Sequence, residues 1–138
     1  MVEVVNAQRK IRIDRQHWQK YALAVLKELD KENEDVTIGF VSEQRIRRMN
    51  REFRGKDWPT DVLSFPGAND DLAGSSLGDV VISAETAARQ ASKNGLSFEQ
   101  EIAQLVLHGL LHLAGFDHET DGGKMNRLEL RLRRRLQI

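Results

Sequence analysis

Three of the four histidines in this chain fall within one short segment, in the pattern H-x-x-x-H-x-x-G-x-x-H from His108 to His118. His108 and His112 are four residues apart, so on an α-helix they project from one face, one turn apart. Gly115 follows at a point where a helix can end through a left-handed residue, a conformation that glycine adopts at little cost. The turn after it can bring His118 back toward the first two imidazoles. The pattern therefore predicts a helix followed at once by a tight turn.

The histidine pattern also predicts a metal site. Three neutral imidazoles that converge on one divalent ion leave a fourth position open, as in catalytic zinc sites. A single histidine on an apolar helix is more often a packed core residue. Here, however, residues 105–114 are apolar nearly all round, and burying two unpaired imidazoles on one face would be costly. We therefore predict that His108, His112 and His118 bind one metal ion, with water or substrate as the fourth ligand. Three imidazoles suit Zn²⁺ best, although nickel, cobalt or copper can enter such a site in vitro.

The same spacing occurs in the metzincin peptidases, H-E-x-x-H-x-x-G-x-x-H, with one difference. In those enzymes a glutamate at the second position takes a proton from water on the metal. Gly109 occupies that position here, so the peptidase mechanism loses its base. A metal can still act as a Lewis acid and lower the pKa of bound water to about 7. The motif thus favours a hydrolytic metal centre, with a metzincin-like metalloprotease as an alternative.

Length and composition are those of one globular domain. The chain has 138 residues, of which 40% are hydrophobic and 30% are charged. It has no cysteine, which excludes disulfides and thiolate metal ligands. It shows neither a secretion signal nor a long apolar run. We therefore expect a single cytoplasmic domain over residues 1–138, with no membrane partner.

A net charge of zero hides two basic segments. The chain has 21 basic and 21 acidic residues. Residues 45–56 contain six basic residues and only Glu52 as an acid, and residues 124–135 contain six basic residues and only Glu129. Basic patches of this kind are typical of proteins that bind nucleic acids, although a charged helix face is often no more than a solvated surface.

The order of hydrophobic patterns predicts an α+β fold. Strands are predicted for residues 2–13, 36–41, 60–65 and 77–82, with a polar loop over 67–76. Helices are predicted from Asp14 to about Asn33, after Ser42, from Ser83 to about Asn94, after a Ser97–Gln100 capping box, and from about Asp121. In the second helix Ile46, Met49 and Phe53 form the expected core face. We expect about four strands in a mixed sheet with one antiparallel edge strand, about five helices mostly on one face, and the metal site on a central helix and the turn after it.

Three ordered motifs resemble the YbeY family over essentially the whole chain. Residues 50–66, NREFRGKDWPTDVLSFP, are similar to its N-x-x-[FY]-R-x-x-x-x-P-T-D-V-L-S-F-P signature, and residues 77–83 resemble its next strand. Residues 108–118 match its H-G-x-L-H-L-x-G-[YF]-D-H motif at each position, including Gly109. Met125 and Glu129 also fall where the family's final helix has them.

The resemblance implies a single-strand-specific, zinc-dependent endoribonuclease that acts in maturation of the small-subunit ribosomal RNA 3′ end and in ribosome quality control. It implies that His108, His112 and His118 are zinc ligands and that Arg54 is the functional arginine. The implied partners are single-stranded RNA, ribosomal RNA and the small ribosomal subunit, with no DNA expected. A non-catalytic, zinc-stabilised ribosome-assembly factor is a further alternative, and the nucleophile is either water or the RNA 2′-hydroxyl.

Several other residues are weaker candidates for a role at the site. Acceptors for imidazole N–H groups are available in Asp61, Asp79 and Asp117. Trp58 is a candidate for stacking on a base. His17, on an amphipathic helix, is expected to be a surface or packing residue. The final helix either guides RNA or presents a solvated face through Arg127, Arg131, Arg134 and Arg135.

Overall fold

The computed structural model describes residues 1–67, 69–70, 74–116 and 122–137, which form one α+β domain. Its strands are β1 Val2–Asn6, β2 Asp35–Val41, β3 Val62–Pro66, β4 Asn69–Asp70 and β5 Gly74–Ser83. Its helices are α1 Arg15–Glu28, α2 Glu43–Arg54, α3 Ala84–Asn94, α4 Phe98–Leu113 and α5 Lys124–Arg135. Within these ranges no helix combines the length and the apolar character needed to cross a membrane.

The main sheet has four strands in the order β1-β2-β5-β3. The first three are parallel, and the edge strand β3 runs antiparallel to β5, with Leu63 opposite Val81. The predicted mixed sheet with one antiparallel edge strand is therefore confirmed. The predicted loop over 67–76 is wrong in part, because β4 pairs there with the first residues of β5.

Alternate residues of the central strands pack against helices on both faces of the sheet, as the two-residue repeat of a strand requires. On one face the strands pack against α1 and α4, through the fully buried Ile38, Phe40, Val80 and Ile82. On the other face α2 covers a smaller cluster of Val41, Ile46, Leu63 and Val81. Ten residues of α4 are buried. This central helix is therefore a rigid support for any side chain that it presents to solvent.

The first strand ends at Asn6, so the predicted strand over residues 2–13 is too long. The Gln8 side chain makes a local turn in its place. Its Nε2 donates to Asn6 Oδ1 at 2.8 Å and to Ile11 O at 2.6 Å, and its Oε1 accepts from Ile11 N at 3.0 Å. The Gln8 side chain thus satisfies the backbone N–H and C=O of Ile11, which in a longer strand would bond to the neighbouring strand β2.

The first and last helices are shorter than predicted. α1 ends at Glu28 instead of about Asn33, because Asp30 has a left-handed φ of +56° that cannot continue an α-helix. α5 begins at Lys124, after Gly123, while the predicted start at Asp121 lies outside the described residues.

Phe53 does not belong to the core face of α2, which corrects a sequence prediction. Ile46 and Asn50 are buried on this helix, whereas Phe53 is 64% exposed. The last turn of α2 borders an open cavity and not the sheet interior. The row of apolar residues on α2 therefore extends one turn beyond the part of the helix that packs on the sheet.

Candidate active site

Helix α4 carries the first two motif histidines and has the predicted ends. At its start Ser97 Oγ accepts from Gln100 N at 3.1 Å, and Gln100 Oε1 accepts from Ser97 N at 2.9 Å, which is the capping box. Just beyond its end Gly115 has φ +99°, a conformation that favours glycine. The predicted helix and the start of its turn are therefore confirmed as far as Phe116, where the described segment ends.

His108 and His112 lie on one face of α4. Their ring centroids are 4.7 Å apart, and the ring planes are inclined by 76°. Both rings line a cavity of about 680 Å³, and the His108 side chain is 31% exposed. The two imidazoles thus border a solvent-accessible cavity and are not packed as core residues.

The remaining wall of the cavity comes from the C-terminal turn of α2 and from residues 60–66. Phe53 and Arg54 are the last two residues of α2, and both are exposed at the cavity. Folding therefore places Arg54 beside the same cavity as His108 and His112, although the three are far apart in the sequence.

The third motif histidine, His118, lies outside the described residues together with its neighbour Asp117. In the ranges that are described, no three side chains of the metal-ligating types come together. The zinc ligand set stays a prediction. The part of it that is described fits, because two imidazoles on one helix face are the nitrogen donors that zinc prefers.

A carboxylate on α5 lies beside the first histidine. Glu129 Oε2 is 3.9 Å from His108 Nδ1, and the Glu129 side chain is only 20% exposed. At 3.9 Å the two groups are at ion-pair distance and not at hydrogen-bond distance, and the negative charge of Glu129 faces the Nδ1 side of the ring. The sequence placed Glu129 on the final helix but gave no sign of this contact, because it depends on how α5 packs against α4.

Gly109 lies where α4 approaches the sheet most closely. A Cβ atom at this position would be 2.7 Å and 2.9 Å from the two methyl carbons of the fully buried Val80. Contacts under 3.0 Å require a displacement of the neighbour, and a valine in the core has little room to give it. A glutamate, as in the metzincin motif, would therefore not fit here without moving the helix from the sheet.

A pair of carboxylates links the cavity wall to α4, because Asp61 lines the cavity and Glu101 is buried on the first turn of the helix. With the Gln90 amide oriented so that it satisfies both acids, its nitrogen donates to Glu101 Oε1 at 3.0 Å and to Asp61 Oδ2 at 3.2 Å. Burial raises the pKa of the Glu101 carboxyl, and the negative charge of Asp61 raises it further. Asp61 is one of the candidate acceptors for an imidazole N–H. In the described part of the chain its carboxylate accepts hydrogen bonds from the Gln90 amide and from Thr60 Oγ1, the latter at 3.4 Å. Asp79, the next candidate, is exposed on β5.

The loop that leads to β3 is tied to α2 by Asn50. This residue is 1% exposed, and its Nδ2 donates to Trp58 O at 2.9 Å. The Trp58 ring itself is 57% exposed, with Lys56 Nζ 5.9 Å from the ring centroid. A part-buried hydrogen bond to α2 therefore fixes the loop that leads to Thr60 and Asp61 relative to Arg54.

Part of the α5 arginine stripe has structural partners. Arg135 Nε donates to Glu28 Oε1 at 2.9 Å, and Arg127 donates to Gly122 O at 3.2 Å. His17 is exposed and makes an edge contact with Trp18, at 4.6 Å between ring centroids, in agreement with its expected packing role.

Comparison with known proteins decides the family. The family described as "Endoribonuclease YbeY" matches residues 3–137. The chain belongs to the YbeY family of endoribonucleases. It is 44% identical over 114 residues to the "Endoribonuclease YbeY" of Aquifex aeolicus, 47% over 100 residues to that of Sulfurihydrogenibium and 48% over 120 residues to that of Carboxydothermus hydrogenoformans. These matches cover 83%, 70% and 86% of this chain and 75%, 64% and 83% of the respective relatives.

A solved structure shares the fold. The solution structure of a Thermotoga maritima protein is 28% identical to this chain and superimposes with a TM-score of 0.62, covering 95% of this chain and 85% of that one. The family match and the curated relatives confirm the resemblance to YbeY, and the enzyme class is that of a hydrolase, an endoribonuclease.

Proposed function

We propose that this chain hydrolyses phosphodiester bonds of single-stranded RNA, with one Zn²⁺ held by His108, His112 and His118 and with Arg54 acting on the phosphate. The supporting observation is that Arg54 and the first two motif histidines line one open cavity. Such a cavity offers nitrogen donors for a cation and a guanidinium for an anion, which are the two charges that phosphoryl transfer needs to have stabilised.

Arg54 is suited to the phosphate for reasons of geometry and charge. Its planar guanidinium can donate two parallel hydrogen bonds to phosphate oxygens and keeps its proton at any physiological pH. It neutralises the negative charge that accumulates on the oxygens as phosphorus becomes five-coordinate. Its position on the exposed last turn of α2, beside Arg51, lets a strand approach over a basic surface.

Two residues beside the motif histidines, Glu129 and Gly109, shape the proposed metal site. Zinc, when bound, supplies Lewis acidity toward an oxygen of phosphate or water. In the proposed site the Glu129 carboxylate would orient the His108 ring from its Nδ1 side, and the packing at Gly109 leaves no room for a glutamate base at position 109. The nucleophile is water or the RNA 2′-hydroxyl. Product analysis separates the two, because attack by the 2′-hydroxyl leaves a 2′,3′-cyclic phosphate.

The biological setting follows from the family resemblance. We place the activity in the cytoplasm, on the small ribosomal subunit, in maturation of the 3′ end of its RNA and in ribosome quality control. Support comes from the match of residues 3–137 to a family described as an endoribonuclease. We infer that the substrate is single-stranded RNA rather than DNA.

A substrate panel tests the proposal. We expect the zinc-loaded protein to cleave a single-stranded RNA, to leave the matching duplex, the matching DNA and casein intact, and to lose activity with a chelator until zinc is added back. Cleavage of casein alone would establish a metalloprotease instead. Zinc binding with no cleavage of any substrate, and unfolding once zinc is removed, would establish a zinc-stabilised assembly factor.

A further inference from the structure

Phe53 is exposed where its position in the sequence predicts burial. It lies seven residues after the fully buried Ile46, on the same face of α2, and yet it is 64% exposed. Burial of a phenylalanine side chain favours folding, and at 64% exposure this ring forgoes most of that gain. Folding alone therefore does not explain an aromatic residue at this position.

The exposed ring is nevertheless held in one place. Its centroid is 5.2 Å from that of Phe65, with the ring planes inclined by 72°. This is the edge-to-face arrangement that aromatic pairs prefer. Phe65 is half-buried on β3 and packs against the smaller core cluster beneath α2. Phe53 is thus an ordered aromatic surface, fixed before any ligand arrives.

The position of the ring identifies the kind of ligand. Phe53 precedes Arg54 in the chain, and both line the cavity that contains His108 and His112. The surrounding segment 45–56 carries six basic residues against the single acid Glu52. A polyanion with flat unsaturated rings matches a guanidinium next to an exposed aromatic, and single-stranded RNA has this chemistry.

Trp58 is the rival aromatic, and the structure favours Phe53. The cavity wall, as far as the described residues form it, contains Phe53 but not Trp58. In addition, Lys56 Nζ lies over the Trp58 ring at 5.9 Å, so that ring already has a cation near its face.

We infer that Phe53 is a base-stacking platform, which holds an unpaired base next to the phosphate bound by Arg54 and so makes the site selective for single strands. The inference rests on RNA being the substrate, as proposed above. In a duplex both faces of each base are covered by its neighbours, so a base cannot stack on Phe53 unless it is first unpaired. A phosphate contact alone would not distinguish the two forms in this way.

The test measures binding of a short 2′-O-methyl RNA, in which attack by the 2′-hydroxyl is blocked, by fluorescence anisotropy, with gel analysis after each titration to show that the strand is intact. Phe53→Ala should weaken binding by about fivefold to 150-fold, in line with the loss of one stacked base, and Phe53→Trp should restore it. A series of RNAs, each lacking the base at one position, then locates the contact. The RNA that lacks the stacked base should bind wild type and Phe53→Ala with equal affinity. Leu130→Ala, which changes an exposed side chain on α5, is the matched surface control and should bind as wild type does.

Salt dependence separates stacking from charge. Phe53→Ala should keep the slope of log affinity against log salt, whereas Arg54→Ala should reduce it by about 1, because only the latter removes a phosphate contact. Wild-type affinity in Phe53→Ala, or an equal loss on every abasic RNA, would overturn the inference, as would a larger loss in Trp58→Ala.

The outcomes keep this inference apart from the proposed function. If wild type cleaves single-stranded RNA and Phe53→Ala matches it in binding and cleavage, the platform is refuted and the nuclease stands. If wild type binds RNA through Phe53 but does not cleave it, the platform stands and the nuclease is refuted. If wild type neither binds nor cleaves RNA, both are refuted.

Discussion

The Cβ position of Gly109 lies 2.7 Å from a methyl carbon of Val80, which is closer than any side chain at position 109 could approach without displacing the core. This contact sets the distance between α4 and β5. The close packing also explains why glycine follows His108, because the side chain of a catalytic glutamate has no space at position 109. The difference from the peptidase motif is therefore built into the fold.

Gly109→Ala should be neutral or lose up to about 2 kcal/mol of stability, because overpacking of about 1–3 kcal/mol opposes a gain in helix propensity of about 1 kcal/mol. Urea denaturation measures the change. Gly39→Ala is the matched control, since a Cβ there has no neighbour within 4 Å, and it should be neutral or stabilising. A larger stability gain in Gly109→Ala than in Gly39→Ala would contradict the close packing.

Glu129→Gln should weaken zinc binding by about 10-fold to 100-fold, because it removes the carboxylate that faces His108 Nδ1 and would orient the ring for the metal. Competition with a chelator of known affinity measures the change. Glu28→Gln, which removes an exposed ion pair with Arg135 at 2.9 Å, should leave zinc affinity as it was. Equal affinities in the Glu129 variant and the wild type would mean that the carboxylate does not act on the ligand.

Glu101→Gln should stabilise the fold at neutral pH. The pKa of the buried Glu101 carboxyl is raised above its ordinary value of 4.5, first by burial and then by Asp61, so the native state holds this proton more tightly than the unfolded chain does. The contribution of Glu101 is then most favourable below its unfolded pKa and is lost as pH rises through the folded pKa. The increase in the free energy of unfolding caused by Glu101→Gln should accordingly be near zero at about pH 4 and should grow as pH rises to about 8.

The control for this prediction is Glu99→Gln, on the exposed first turn of the same helix. A negative charge there is favoured by the helix dipole, so this variant should show no gain with rising pH. Thermal unfolding of both variants across the pH range decides the matter. A pH-independent effect of Glu101→Gln would show that its carboxyl is not destabilised by burial.

Arg54→Lys should lose about 100-fold in turnover while zinc occupancy stays complete, because an ammonium group cannot donate the two parallel bonds of a guanidinium to the transition state. Single-turnover cleavage and metal analysis on one preparation measure both quantities. Arg48→Lys, on another exposed position of α2, should cleave nearly as wild type does. Wild-type rates in Arg54→Lys would remove this residue from the chemistry.

Much of the site could be predicted because it is local in the sequence. The four-residue spacing of His108 and His112 and the glycine that follows dictate a helix and a left-handed turn, and the structure shows both as far as it is described. The antiparallel edge strand also followed from short-range signals, the turn-forming residues between β3 and β5.

The features that were missed depend on tertiary packing. The contact of Glu129 with His108 joins α5 to α4, and the Gln90 amide joins two acids that are forty residues apart in the chain. The exposure of Phe53 depends on the cavity beside the last turn of α2, which no helical periodicity reveals. The early end of β1 has a local cause, the hydrogen bonds between the Gln8 side chain and the backbone of Ile11. The sequence alone does not reveal it, because a glutamine there looks like any polar residue on the exposed face of a strand.

Zinc content and RNA cleavage, measured on the same preparations of wild type, His112→Ala and His17→Ala, test the central claim most directly. His17 is the matched control because it is the one histidine outside the motif. We expect about one zinc per chain and cleavage of single-stranded RNA in wild type and His17→Ala, with both lost in a folded His112→Ala protein. Cleavage at the wild-type rate by a zinc-free His112→Ala protein would contradict the account.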